Sequence, residues 1–495
     1  MSANDIETQD GLELRLPGPL WEEVRHHVLG DGAQELPPGA GVLYCGVARS
    51  SRVTRLLARE FVRAVDGVDY VPSKVGHGAL TAGFTLDAAL RAENTGLVPL
   101  LVHGHRAIDF VEFSPIDLAS HARGYPALVK NADGPVGGLV IGERAVDVDL
   151  YLPRGGRIRS HRAVVVGQNA ERLGQSSTAA TPSRAADRHA RLFGDAGLEI
   201  LSSSKVTVVG AGGVGMLAVQ WLAMLGVGQL VVVDPGRVKE ESRARLPGAT
   251  KWDARGGERE LRGPEWLLRT LGLVGTPKVR LAERLARAAA MGTKVVTVRA
   301  AVSDKRAIAH LKDSDLIFLA ADSDSARYAV NRVAHQYMVP AVQAGSKVQT
   351  RDDGSIEDVF AVVRPILPER GCLRCAAAYS ATGLSLETHT GMVGQRHDYG
   401  TGVPAPSVAA VNAIAASHAA VFAQFYLTGL RRAVAADNFL MHLMDDDVAF
   451  GQSSRDADCP ICGPGGAAGW GDLELLRVPT RAATRAVHFR RRRAP

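Results

Sequence analysis

Cysteine is scarce, with five in 495 residues. That count excludes a disulfide-built scaffold. Four of the five fall in two Cys-x-x-Cys pairs, Cys372/Cys375 and Cys459/Cys462, a pattern that points to metal. Cys45 stands alone in an apolar run and reads as core. Aromatic residues make up only 5% of the chain, which argues against base stacking as its main task. The net charge is a mild +6, and part of it sits in Arg490–Arg493, a short run that reads as a solvated end rather than a nucleic-acid grip. Long clean apolar runs are missing too. The most apolar stretch, Val408–Leu430, carries Asn412, Ser417, His418 and Gln424 and reads as a core helix rather than a membrane span. Met1–Asp10 is polar and acidic, without the order of a secretory signal. These absences lead us to expect a cytoplasmic protein with neither nucleic acid nor membrane as partner.

What is present is a glycine-rich turn in a telling place. Lys205–Val209 is an apolar run that predicts a buried strand, followed by Gly210, Gly212, Gly213 and Gly215 and by a helix over Met216–Leu225. Such glycines let the backbone turn, approach a phosphate and admit a helix whose N-terminal N–H groups face that phosphate. Gln229–Asp234 predicts the next strand, and Asp234 at its end can take a ribose hydroxyl. The motif predicts a nucleotide site. Taken alone it fits NAD as well as ATP.

Length and periodicity give four segments. Residues 1–166 alternate strand-like runs (Gly41–Cys45, Val98–His103, Val136–Ile141, Val146–Leu152) with helical ones (Leu20–Val28, Phe84–Ala92), predicting a smaller α+β domain. Residues 167–187 are polar, small and aperiodic, and read as a linker. Residues 188–465 repeat strand and helix, predicting a doubly wound α/β domain with further strands at Lys294–Arg299, Asp315–Ala320, Val339–Gln343 and Val359–Val363. Helices are expected over Val279–Ala290 and Ser325–Gln336. Leu246–Gly275 reads as an insertion over the nucleotide site, and 466–495 as a basic tail.

From Arg188 to Cys462 the chain resembles the ThiF/MoeB/HesA superfamily of ubiquitin-activating-like adenylating enzymes. The resemblance runs through Arg188–Gly215, Val231–Leu246, the Gly-Thr-Pro-Lys stretch Gly275–Lys278, Asp315–Arg327, the first Cys-x-x-Cys, Gly402–Ser417 and the second Cys-x-x-Cys, in that order. It implies a Rossmann-like fold, with ATP rather than NAD as ligand. It also implies roles for individual residues. Asp234 would hold the ribose, Arg245 and Lys278 the phosphates, and Asp322 a Mg2+ ion. Ser242 stands where the family usually has asparagine, and would bond a phosphate. Gly236 replaces a second acidic residue. Arg191 matches an arginine that the family inserts from a partner subunit, implying a homodimer. The four paired cysteines would hold a structural Zn2+. The family's thioester-forming members carry a cysteine between the two pairs. Residues 376–406 contain none, so the resemblance implies adenylation without a thioester on this chain.

His103-Gly-His105, followed by Ser114 and Asp117, resembles the motif of JAB/MPN metallopeptidases. The resemblance implies that His103, His105 and Asp117 bind zinc and that Ser114 steadies an oxyanion. The family's glutamate has its nearest counterpart in Glu35, and Arg106 replaces the usual proline. The whole chain thus reads as a JAB/MPN-like domain joined to a ThiF-type adenylating domain. The expected acyl substrate is the C-terminal glycine carboxylate of a ubiquitin-like or sulfur-carrier protein, and a conjugating or sulfur-donor protein is the expected acceptor. Adenylation of a peptide or metabolite, and a nucleotide-binding scaffold without turnover, remain open alternatives.

Overall fold

The computed structural model describes residues 6, 11–30, 39–71 and 79–174, then 184–390 apart from 258, 260, 262, 290 and 352, then 406–479 apart from 433, 435 and 437. Glu35, the Arg490–Arg493 run and residues 391–405 between the cysteine pairs lie outside the described residues.

The N-terminal region comprises β1 (Leu12–Pro17), α1 (Gly18–Leu29), β2 (Gly41–Arg49), β3 (Thr54–Arg63), α2 (Ala82–Thr95), β4 (Val98–Gly104), α3 (Pro115–Asn131), β5 (Val136–Ile141), β6 (Val146–Tyr151), β7 (Arg157–Ser160), β8 (Ala163–Val166) and β9 (Ala170–Leu173). Its strands form one mixed sheet in the order β7-β6-β5-β4-β2-β3-β1-β8-β9. Strand β9 falls inside the stretch read as a linker. It pairs with β8 as a hairpin, Val164 opposite Arg172, so the sheet extends to Leu173.

The second region comprises α4 (Asp187–Ser203), β10 (Lys205–Val209), α5 (Gly213–Met224), β11 (Gln229–Val233), α6 (Lys251–Ala254), α7 (Glu265–Thr270), α8 (Lys278–Ala288), β12 (Lys294–Val298), α9 (Lys305–Lys312), β13 (Leu316–Leu319), α10 (Asp324–Gln336), β14 (Ala341–Thr350), β15 (Ile356–Ile366), α11 (Ala381–Thr390), α12 (Ala409–Leu427), β16 (Asn438–His442) and β17 (Asp447–Gly451). The sheet order is β12-β11-β10-β13-β14-β15-β16-β17. The first five strands are parallel neighbours, and β15 to β17 add an antiparallel extension. The doubly wound expectation therefore holds for five of the eight strands. The long hairpin β14–β15 and the ribbon β16–β17 widen it.

Local sequence explains the layers. Strands β10, β11 and β13 are near-continuous apolar runs, rich in valine in β10 and β11, because both of their faces are covered. Helix α5 is apolar almost all round, since it is sandwiched between the sheet, α8 and α12. Helix α12 is long and apolar enough to cross a membrane by length and composition. Here it packs on α5, β14 and β15 and buries Ala415, Ala416, Ala419, Ala423 and Tyr426, as a core helix does. Helices α9 and α10 cover the opposite face.

The two regions are joined by a buried charge network. Glu13 accepts hydrogen bonds from Arg15 and Arg55, both at 2.9 Å. Arg15 also reaches Met338 O and Arg55 reaches Lys312 O, at 2.9 and 2.7 Å. Burial pushes the Glu13 carboxyl up, but Arg15 and Arg55 outweigh it and hold the group well below the usual carboxylate range. Part of the stretch read as a tail completes the join. Gly471 bridges Val47 in parallel, and Asp472 accepts from Arg49 N at 2.8 Å and from the Tyr337 hydroxyl at 3.0 Å. Residues 466–478 are thus a clasp that runs from the second cysteine pair onto β2.

Candidate nucleotide crevice and two metal-type clusters

The strand order reverses at β10. Strands β11 and β12 lie on one side of it and β13 and β14 on the other. In open α/β sheets the crevice at such a switch point, beyond the carboxyl ends of the strands, is where ligands bind. The glycine turn leaves β10 at this place. Gly210 has φ +94°, and a Cβ there would lie 2.8 Å from Ala321 N. Gly215 sits against Gly210 O, 1.8 Å from where its Cβ would be, so no side chain fits. Gly212 faces open space instead, at the N-cap of α5. The helix starts at Gly213, three residues earlier than its sequence suggested, so the turn delivers its amides directly to the crevice.

Asp234 follows β11 and is 6% exposed. Its Oδ2 accepts from Ala211 N and its Oδ1 from Gly236 N, both at 2.7 Å. The glycine turn therefore aims the carboxylate. Lys278 Nζ, on the first turn of α8, stands 4.0 Å from Asp234 Oδ2. Arg245 closes a 3₁₀ turn, Glu240–Arg245, that also buries Ser242, and its carbonyl oxygen lies 3.5 Å from the Cβ position of Gly213. Asp322 emerges past β13, the strand whose Ala320 N donates to Val209 O. The N-cap of α10 is Ser323, which accepts from Ala326 N at 3.2 Å, so capping is not the task of Asp322. Arg191 lies on α4. It pairs with Asp187 at 3.0 Å with 78% of its side chain exposed.

Two residues of this crevice escaped the sequence reading. Asn412 is 2% exposed, and its Nδ2 lies 2.2 Å from where a Gly213 Cβ would be. It accepts from Ser346 Oγ at 2.6 Å and donates to Ser407 Oγ at 3.1 Å, so it braces the glycine turn from α12. Glu387 of α11 accepts from Asp324 N and Ser325 N at 2.9 Å each, closing the start of α10 beside Asp322. Asn412 lay within the Gly402–Ser417 stretch already singled out. No local signal marks Glu387. The insertion Leu246–Gly275 carries the short helix α7. That helix stands along the outer edge of the sheet, where Glu265 pairs with Arg237 and Arg299.

The four cysteine sulfurs converge. Cys372 Sγ lies 3.7 Å from those of Cys375 and Cys459, and Cys375 Sγ lies 3.5 Å from that of Cys462. A tetrahedral ion with bonds of about 2.3 Å separates its sulfurs by about 3.8 Å, so the set fits zinc and is too wide for disulfides. Cys372, Cys459 and Cys462 are buried and Cys375 is half-buried. A hydrogen bond from Cys462 holds the Cys372 thiol below its ordinary range.

His103, His105 and Asp117 also converge, with ligand atoms within 4.8 Å of one another. Each imidazole Nε2 lies 3.5 Å from Asp117 Oδ2. His105 Nδ1 contacts Glu112 O at 3.1 Å, which fixes the tautomer and leaves Nε2 as the electron-pair donor. His103 Nε2 is buried without a hydrogen-bond partner, the condition of an atom placed for a metal. The three side chains remain 23–34% exposed. Burial pushes Asp117 up, but His103 and Ser114 outweigh it and hold the carboxyl well below its usual range. Ser114 caps α3, and its hydroxyl donates to Asp117 Oδ2 at 2.7 Å. That proton is spent orienting a ligand, a different task from the oxyanion contact expected of it.

An α/β sheet with a glycine turn after one strand, an aspartate just past the next and a lysine at the start of α8 defines a nucleotide-binding fold. The chain belongs to the ThiF family, whose profile matches residues 186–461. Over 175 residues it is 30% identical to the SAMP-activating enzyme E1 of Haloferax volcanii, spanning 35% of this chain and 54% of that protein. Over 141 residues it is 30% identical to the sulfur carrier protein adenylyltransferase of Thermus thermophilus, spanning 28% of this chain and 45% of that one. The chain thus spans about half the length of these curated relatives. Among solved structures, E. coli MccB with MccA-N7isoASN aligns over 57% of this chain and 76% of its own, with 16% identity and a TM-score of 0.43. ThiF-family adenylyltransferases use ATP and Mg2+, and the crevice and the four-cysteine cluster are compatible with nucleotide and zinc.

Proposed function

We propose that the chain activates the C-terminal glycine carboxylate of a ubiquitin-like or sulfur-carrier protein by adenylation. The observation that carries this reading is the meeting of the α5 N-terminus, Asp234, Lys278 and the Asp322 loop at one switch point. The names of the two curated relatives support the substrate class. A carboxylate oxygen attacks the α-phosphorus of ATP. The new O–P bond forms as the bond to pyrophosphate breaks, and the leaving group carries away the electron pair. Asp234 holds the ribose, the Gly212–Gly215 amides steady phosphate oxygens, and Arg245 and Lys278 take up charge growing on the leaving group. Magnesium bound at Asp322 would neutralise phosphate charge. A second copy of the chain would bring Arg191 to the crevice as part of a homodimer.

The acyl group then leaves to an outside nucleophile, a sulfur donor or a conjugating partner. Cys45 is fully buried and its thiol is pushed up by burial, which suits a core residue and no acyl carrier. The other cysteines form the metal-type cluster. The test is ATP–pyrophosphate exchange with a β-grasp partner ending in Gly-Gly. Exchange that vanishes when the Gly-Gly end is removed supports the reading. Exchange with short peptides alone would move the assignment to peptide adenylation. Magnesium-dependent ATP binding without exchange by any acyl partner would leave a scaffold.

For the N-terminal region the His103/His105/Asp117 geometry favours zinc with an open position for water, hence a JAB/MPN-like isopeptidase of the same partner protein. Ile108, Phe110 and Ile116, which lie between His105 and Asp117 in sequence, are exposed, as a protein substrate would need. Cleavage of a Gly-Gly-linked fusion, lost in His103→Ala, tests it. Unchanged cleavage by the variant would refute it.

A further inference from the structure

We propose that the outer edge of β12 is a docking strand for an extended, acidic segment of a partner protein. The partner's identity as acyl substrate rests on the adenylation reading, whereas the docking itself does not.

Strand β12 ends the parallel half of the sheet, and among the described residues no strand covers its outer side. Lys294 N donates to Gly228 O, and Val298 O accepts from Asp234 N. In a parallel ladder alternate residues bond to the same neighbour, so Lys294, Val296 and Val298 spend their backbone groups on β11. Val295 and Thr297 therefore turn their N–H and C=O groups outward. An edge of this kind is a template for strand addition, and proteins that do not use one usually block it.

This edge opens into a cleft of about 740 Å³. Val296, Val298 and Val279 give it an apolar floor, and Trp266 of α7, 70% exposed, stands at its rim. Arg269, Arg280, Arg299 and Arg306 line it against a single lining carboxylate, Glu265. Arg280 and Arg306 also hold Glu283 and Asp304, and Arg299 holds Glu265. Arg269 has no ion pair among the described residues. The remaining titratable wall group, His310, is pushed down by burial and by Lys205, so it adds no charge at neutral pH. The inserted helix α7 builds the outer wall, so the insertion supplies this cleft.

Unpaired backbone groups along a strand, apolar floor positions and a cationic rim match an extended peptide with alternating acidic side chains. A nucleic acid satisfies the arginines but not the strand edge. Pro277 lines the cleft and Lys278 follows it, so a segment docked here would hold its parent protein beside the nucleotide crevice.

The test uses the full chain and a fluorescein-labelled octapeptide of alternating glutamate and valine, read by anisotropy. Binding to the wild type should weaken with salt. Arg269→Glu, an exposed change, should weaken it by about tenfold or more. Thr297→Pro removes an outward N–H and no ladder bond, so the strand should persist while peptide binding is lost. Magnesium-dependent ATP binding is measured in the same samples and should persist in both variants. No peptide binding by the wild type, or equal binding by both variants, overturns the proposal. Preference for a single-stranded DNA octamer over the peptide also overturns it. Peptide binding without ATP binding by the wild type would instead sink the adenylation reading and leave the docking edge standing.

Discussion

The cysteine cluster and the histidine cluster have similar ligand spacing and opposite surroundings. The four sulfurs sit 3.5–3.7 Å from their neighbours, three of the four cysteines buried, with enough donors for a tetrahedral set. Each of the two imidazoles sits 3.5 Å from the one carboxylate, all three a quarter to a third exposed, and three donors are fewer than a tetrahedral ion takes. Closure marks a structural ion and openness a reactive one. The cysteine cluster also anchors the clasp that crosses onto β2, so its metal would hold the two regions as one body. The histidine cluster stands on the end of β4 and the cap of α3, where losing an ion disturbs little else.

The contrast is broken most severely by Cys459→Ser. Structural zinc contributes on the order of 10–16 kcal/mol in small metal-folded domains, which rivals the whole stability of a domain. The variant should lose its cooperative thermal transition and release the clasp to protease. A normal melt would show that the cluster is not structural.

Next in size is Glu13→Gln, between the two regions. Removing one partner of this buried network should destabilise the protein by about 3 kcal/mol at neutral pH. The sign with pH follows from the lowered Glu13 carboxyl. The unfolded chain takes up the proton near its ordinary value of 4.5, and the folded chain only at lower pH. The contribution is present above that value and is lost as pH falls below it. Urea denaturation of both proteins should converge on acidification, and a constant difference down to pH 3 would contradict the network's role.

The smallest effect on stability belongs to His103→Ala. Its melting midpoint should move by no more than about 3 °C, since partly exposed positions contribute little. Metal analysis should nevertheless find one zinc per chain, against two in the wild type. Two in the variant would mean that the triad binds none.

The crevice was legible because its parts are local. A strand, glycines, a helix and Asp234 fall within about 30 residues, as backbone recognition of a phosphate requires. The cysteine pairs were legible for a similar reason. Strands β1, β3, β8 and β9 were not. In β3 the run Thr54–Arg63 does not alternate, because Arg55 is buried by Glu13 from another strand and by carbonyls of the second region. The clasp was read as a tail because its partners, Val47, Arg49 and Tyr337, lie more than a hundred residues away. Asn412 acts on Gly213 across a similar distance in sequence, and Glu387 on Asp324 across 63 residues.

The most direct test of the central claim is calorimetric titration of Mg·ATP into the wild type and into Asp322→Ala, with NAD as control. The account predicts magnesium-dependent ATP binding by the wild type, its loss or a weakening of at least about tenfold in the variant, and no binding of NAD. Binding of NAD in place of ATP, or ATP binding equal in both proteins, would contradict it.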